Sequence, residues 1–271
     1  MLHKYLLKKD SYDSDDKNFR SLTEDQKITV VAESDLSPKF PAVWDHGRLG
    51  SSQSHAVNAI FSYLLQYDFT PSHLFTYYNL RELVGTAELD VGGSLHDSLR
   101  AVSQFGIADS LDWPYDIGKF ADKPPQKAYD HAIERIEAIS QYNFYRLNDL
   151  YEIQQALSIG ITPIVGAEMY ENFETHKTLE TGIFPVPAGK VAGDQALVIV
   201  GHCDNNEPRC KASNFIKSVF IKRSAGNFKI RNSWGVGIGL NGSGYFLISY
   251  ETLGKILVDI WGVTSMKTEQ R

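Results

Sequence analysis

FKIRNSWGVGIGLNGSGYFLISY, residues 228 to 250, sets the frame for reading this chain. A β-rich run leads into Asn-Ser-Trp-Gly, then a glycine-rich turn, then a second β-rich run, the pattern of a hairpin. Such a hairpin holds Asn232 at a strand end with the indole of Trp234 beside it. A buried Cys-His-Asn site needs an orienting amide placed in this way. The rest of the chain therefore has to be searched for a nucleophile and a base.

The bulk properties permit such a site. The 271 residues are 42% hydrophobic and 22% charged, with a net charge of -6 and a pI near 5.8. One compact body with two lobes and a real core is expected. Acidic and basic residues are interspersed without a Lys/Arg-rich run, which argues against nucleic acid and anionic membrane as partners. The opening MLHKYLLKKDSYDSDD has too short an apolar patch for a secretory signal or a membrane span, and the compartment stays open. Cys203 and Cys210 bracket CDNNEPRC, a polar loop in which a disulfide or two free thiols are both plausible. The eight histidines are scattered without metal spacing, and no cofactor is expected.

Helical patterns dominate the first half. SSQSHAVNAIFSYLLQY (Ser51 to Tyr67) puts Ala56, Ala59, Ile60, Tyr63 and Leu64 on one face behind a serine start. Further helices are expected at Ser72 to Leu83, Ser94 to Gln104, Pro125 to Ile139 and Asn148 to Ile159. The second half turns to strands: ITPIVGAEMY, QALVIVGHC, SVFIKR, FKIRNSW and YFLISY. KITVVA (Lys27 to Ala32) is read as an early strand. The fold class is α+β, with a helical lobe at about 48–145, a β lobe at about 146–263, an extension at 1–40 packing on the body, and a cleft between the lobes.

The segments VWDHGRLGSSQSHAVNAI, AGDQALVIVGHCD and FKIRNSWGVGIG, in this order, resemble the papain-like cysteine peptidases, and most closely a branch common in bacteria and large viruses. In that branch the corresponding motifs read Asp-Gln-Gly-Gln-Leu-Gly-Ser-Cys, Gly-Gly-His-Ala-Val and Asn-Ser-Trp-Gly. FTPSHLFTYYNLREL, ELDVGGSLHDSLRAV, SLDWPYDIGKF and ETGIFPVP support the same branch, so the resemblance covers nearly the whole chain. It implies a two-lobed fold, with the second lobe an antiparallel β-barrel-like body.

Aligned without gaps, Ser52 falls where the family has its nucleophilic cysteine, His46 where it has its oxyanion glutamine, and Gln195 where it has its histidine. Asn232 and Trp234 match. Gly92, Gly93, Asp194 and Trp234 fall at substrate-binding positions. The departures are chemical. A thiolate at a helix N-terminus is stabilised by the dipole and by a neighbouring imidazolium, whereas serine needs a base to take its proton, and the Gln195 amide is neither acid nor base. Losing one member of such a unit costs on the order of 10⁶ in turnover. The resemblance thus implies a pseudopeptidase whose cleft binds a peptide or protein. An active hydrolase using Ser52 with His46 or His55 is the alternative. Deliberate replacement of a cysteine by Ser52 would leave Gln195 unexplained.

Each residue also has a plainer reading. Ser52 is expected to cap its helix, Gln195 to be a structural amide bonded to Asn232, His46 to be a half-exposed loop histidine, His55 to pack at the lobe interface, and Trp234 to be packing. Gly92 and Gly93 suit either strand pairing with a peptide or a tight turn before the helix at Ser94. His202 lies roughly 20 Å along a strand from Gln195 and cannot replace the missing base. The alignment puts the Ser52 hydroxyl and the Gln195 amide face to face across the cleft, with Asn232 behind.

Overall fold

A computed structural model describes residues 3–11, 13–23, 27–204 and 226–266. The short helix α1 (Phe19–Thr23) and strand β1 (Glu33–Asp35) precede the long helix α2 (Ser52–Leu65). Ser51 occupies the cap position of α2, and Gln66 stops the helix in the left-handed region at φ 49°. Helices α3 (His73–Leu83) and α4 (Leu95–Phe105) follow, each opened by a serine. The Ser72 hydroxyl accepts from the Phe75 N–H, and that of Ser94 from the Asp97 N–H. These three helices stand close to the expected spans.

The single helix expected over 125–139 is instead two, α5 (Gln126–Ile133) and α6 (Ile136–Ile139). The Arg135 guanidinium donates to the His131 carbonyl at 2.7 Å and to the Ile107 carbonyl at 3.1 Å. It thereby takes the carbonyl that an unbroken helix would have given to the Arg135 N–H. KITVVA is not a strand. The pairing falls three residues later on β1, where Gly201 lets the chain in: a Cβ there would lie 2.3 Å from the Ser34 carbonyl oxygen.

Strand β2 (Tyr142–Arg146), helix α7 (Leu150–Ser158), strand β3 (Ile164–Tyr170) and helix α8 (His176–Thr181) lead to the long strand β4 (Val191–Asp204). After it come β5 (Gly226–Arg231), β6 (Tyr245–Ser249), α9 (Tyr250–Ile256) and β7 (Leu257–Ser265). The strands form one antiparallel sheet in the order β2-β7-β3-β4-β5-β6, with β1 added beside the far end of β4. SVFIKR lies outside the described residues. β2 and β7 are strands that the sequence pattern does not announce.

β4 joins the two halves. Its residues alternate between two cores: Leu197 and Ile199 join Phe228, Ile230, Trp234 and Phe246 on one face, while Ala196, Val198 and Val200 join Val57, Ile60, Phe61 and Leu99 from α2 and α4 on the other. Because both faces are covered, the strand reads as a continuous apolar run rather than an alternating one. Burying these side chains is the main drive that seats α2 on the sheet.

Candidate functional site

The loop from Trp44 to Ser51 approaches the sheet at the start of α2. The His46 N–H donates to the Ser233 carbonyl at 3.0 Å and the Gly235 N–H to the Trp44 carbonyl at 3.1 Å. The Tyr115 hydroxyl braces the loop from the helical side, donating to the His46 carbonyl at 2.9 Å and lying 2.7 Å from the Ser51 hydroxyl.

This places Ser52 against β4. Its hydroxyl does not cap α2; it accepts from the Ala196 N–H at 3.1 Å, and the residue is buried. That bond ties the helix start to the strand across the lobe junction. The side chain of Gln195, the next residue back, lies on the opposite face of β4 from that of Ala196, as strand alternation requires. Its amide donates to Asn232 Oδ1, and its carbonyl accepts from the Trp234 indole N–H at 3.2 Å. Asn232 Oδ1 also accepts the Ser233 N–H at 2.8 Å. Gln195, Asn232 and Trp234 are all buried and share one hydrogen-bond chain. Asn232 therefore bonds the residue that the alignment named. Trp234 is more than packing, since its N–H fixes the Gln195 carbonyl. The Ser52 hydroxyl bonds the backbone of Ala196 rather than the Gln195 side chain, whose N–H goes to Asn232 and whose carbonyl takes the Trp234 N–H.

His46 is fully buried, not half exposed. Its Nδ1 lies 3.4 Å from the Leu49 carbonyl, and its position beneath His3 and beside His55 keeps it out of solvent. His55 is also buried, with Nδ1 3.0 Å from the Ser51 carbonyl and its ring stacked 4.0 Å from that of His73. The Asn58 amide faces His73 Nδ1 at 3.1 Å. Burial disfavours the cationic form of all three: it pushes His46 and His73 well below the ordinary histidine range and His55 down to about 4. The nearby guanidinium of Arg231, itself buried, adds to the effect on His55 and His73. Its NH groups donate to the Pro41 and Ala42 carbonyls at 2.7 and 2.6 Å. These three imidazoles are thus held neutral, with His46 and His55 turned toward backbone carbonyls and His73 toward the Asn58 amide. His202 is buried further along β4 and faces the Tyr250 hydroxyl at 3.2 Å.

The surface of the site is occupied by the chain's own residues 3–8, which the sequence pattern does not single out. The Leu7 N–H donates to the Asp194 carbonyl at 2.9 Å and the Lys8 N–H to the Gly93 carbonyl at 3.0 Å, so the segment bridges β4 and the loop before α4. Gly92 and Gly93 precede the Ser94 cap, and the Gly93 carbonyl is taken by the chain's own segment. At Gly92, with φ +67°, a Cβ would lie 1.7 Å from the Leu6 carbonyl oxygen. Tyr5 enters the core of the sheet lobe and Leu7 the core under α2. His3 ends the segment over the indole of Trp234, with ring centroids 5.2 Å apart and planes at 17°. The only signal in the sequence is the aromatic-aliphatic run YLL between lysines.

Among the described residues no group of His, Cys, Asp and Glu could hold a metal ion, and no helix is long and apolar enough to cross a membrane. Cys203 is disulfide-bonded, and Cys210 falls outside the described residues.

A solved structure of xylellain, a cysteine protease from Xylella fastidiosa, superposes with a TM-score of 0.75 over 98% of both chains, at 23% identity. An uncharacterized peptidase C1-like protein of Acanthamoeba polyphaga mimivirus is 28% identical over 231 residues, 80% of this chain and 68% of that one. The chain has the papain-like cysteine protease fold. Digestive procathepsin L2 proteinase of Tenebrio molitor larval midgut shares the papain-like fold at lower identity, 16%, with a TM-score of 0.66 over 97% of this chain and 78% of that one. No family model matches the chain. The papain-like fold here comprises a helical lobe and an antiparallel sheet lobe, with Asn232 and Trp234 at their junction.

Proposed function

We propose that this papain-like homologue is a pseudopeptidase whose interlobe cleft binds an extended peptide or a protein segment. What carries the reading is the state of Ser52 and Gln195. The serine hydroxyl accepts from a backbone N–H, and the side chain at the histidine position is an amide committed to Asn232 and Trp234. An amide cannot take a proton from an attacking hydroxyl. The Gly93 and Asp194 carbonyls already receive the N–H groups of an extended strand, which supports main-chain capture as the mode of binding. Gly92, Gly93, Asp194 and Trp234 are accordingly the residues proposed to contact a bound peptide.

The alternative, a hydrolase using Ser52 with His46 or His55, has less support. Both imidazoles face backbone carbonyls through Nδ1, and both are held far below the pH at which a base would be useful. The test is incubation of the purified chain with peptide libraries and with serine- and cysteine-directed covalent probes. Neither cleavage nor labelling is expected. Cleavage that disappears in Ser52→Ala would overturn the proposal.

A further inference from the structure

His3 sits in a box that the peptidase resemblance does not assign. Its side chain, 7% exposed, reaches across the cleft: Nδ1 is 2.6 Å from Glu174 Oε1 on the sheet lobe and Nε2 is 3.2 Å from Asp45 Oδ1 on the loop before α2. The Trp234 indole lies flat beneath it, and the Tyr5 hydroxyl donates to Glu174 Oε2 at 3.2 Å. The Glu174 side chain is 2% exposed. A carboxylate that deep calls for a cation or several donors, and the face of an indole adds attraction for a cation.

We propose that Asp45, Glu174 and Trp234 form a cation subsite of the cleft, filled in cis by His3, and that a peptide displacing the N-terminal segment must bring a basic side chain to it. This rests on the cleft being a peptide site. A neutral replacement takes the positive charge away from beside Glu174 and Asp45, and an acidic one adds repulsion, so the subsite selects by rejection as much as by attraction. Two residues on, the displacing strand needs an aromatic ring whose hydroxyl meets Glu174, as Tyr5 does. Two further on it needs an aliphatic side chain, as at Leu7.

The groups facing His3 are Asp45, Glu174, the Tyr5 hydroxyl and His46. Burial opposes a charge on His3, but its hydrogen bonds to Asp45 and Glu174 outweigh that cost and raise its pKa above the ordinary value, while Asp45 is drawn down to about 2. His46 stays neutral. A raised histidine pKa strengthens docking fully below about 6.5, and the gain is lost as pH climbs through the raised value. The segment is therefore held more tightly in mild acid than in mild alkali.

The test uses the full chain in two measurements. In the first, the imidazole of His3 is titrated by NMR while exchange of the Leu7 and Lys8 amides is followed from pH 5.5 to 8.5, corrected for intrinsic rates. Protection should fall through the His3 titration in the native chain and be low and flat in His3→Gln. A His3 titrating at or below the ordinary value, or identical profiles in the two chains, overturns the subsite. In the second, the His3→Gln chain is offered synthetic peptides HKYLLKKD, KKYLLKKD, QKYLLKKD and EKYLLKKD at pH 6. The first two should bind about tenfold or more tightly than the third, and the fourth more weakly still. Equal binding of all four overturns the cation subsite but leaves the peptide cleft standing. Binding of none overturns the peptide-cleft reading, and with it the role of the subsite in choosing a partner.

Discussion

The two sides of the lobe junction have sorted their polar groups in opposite ways. On the helical side His46, His55 and His73 are buried imidazoles, kept neutral by desolvation. On the sheet side Asn232 and Trp234 hold an amide, that of Gln195. Among the described residues Asn232 thus bonds an amide rather than any of the three imidazoles, although His55 and Asn232 line the same small cavity. Nearness of residue types does not by itself make a site: a base has to be both oriented and able to carry a charge.

The largest test of this contrast is acid. Each helical-side histidine has a folded pKa below its unfolded value, so its neutral form supports the fold at pH 7 and that support is lost as pH falls below about 6.5 toward the folded value. The loss is up to about 1.4 kcal/mol per pH unit for each histidine. Urea unfolding at pH 7, 6, 5 and 4.5 should show a steep decline, made shallower by His55→Leu. A flat profile would mean that these rings are not sealed from solvent. His3 works in the opposite sense, because its pKa is raised.

The next test rebuilds the sheet side. Ser52→Cys with Gln195→His puts a thiol at the start of α2 and an imidazole against Asn232, and the pair should react with a vinyl-sulfone probe about a hundredfold faster than Ser52→Cys alone, since the two groups act as one unit. Mass spectrometry of the labelled peptide reads the result. Equal rates would show that the scaffold has moved beyond two side chains. His3→Gln in the same background should speed labelling further by loosening the segment over the cleft.

Gly92→Ala probes that segment from below. The added methyl group meets the Leu6 carbonyl oxygen, and φ of +67° is itself strained for alanine, so docking of residues 3–8 should weaken by about 1–3 kcal/mol. Faster exchange at Leu7 and Lys8, with β4 amides unchanged, is the expected sign. Trp234→Phe is the smallest change. It removes the donor to Gln195 Oε1 and keeps most of the packing, costing about 1 kcal/mol in equilibrium unfolding. A loss of several kcal/mol would assign the indole a larger part than fixing one amide.

Much of the architecture is local and therefore legible. Serines at Ser72 and Ser94 announce α3 and α4 because the cap bond lies within the same turn. The QALVIV run announces a strand covered on both faces. Three ungapped segments point to Ser52, Gln195 and Asn232, and the structure brings these residues to one junction. Where long-range contacts compete with local preference, the sequence pattern misleads. Arg135 breaks a helix by capping His131, and pairing at Gly201 shifts the first strand from KITVVA to Glu33–Asp35.

What the sequence by itself determined is the α+β fold and the residue types at its junction, because residue type and strand or helix period are written along the chain. Only the tertiary structure decided where the remaining polar groups point. The Ser52 hydroxyl meets a backbone N–H from β4, His46 is buried, and His3 crosses the cleft to Glu174, a residue 171 positions away. Such contacts depend on which groups are brought within about 3 Å of one another and shielded from water, and neither property is encoded in local sequence.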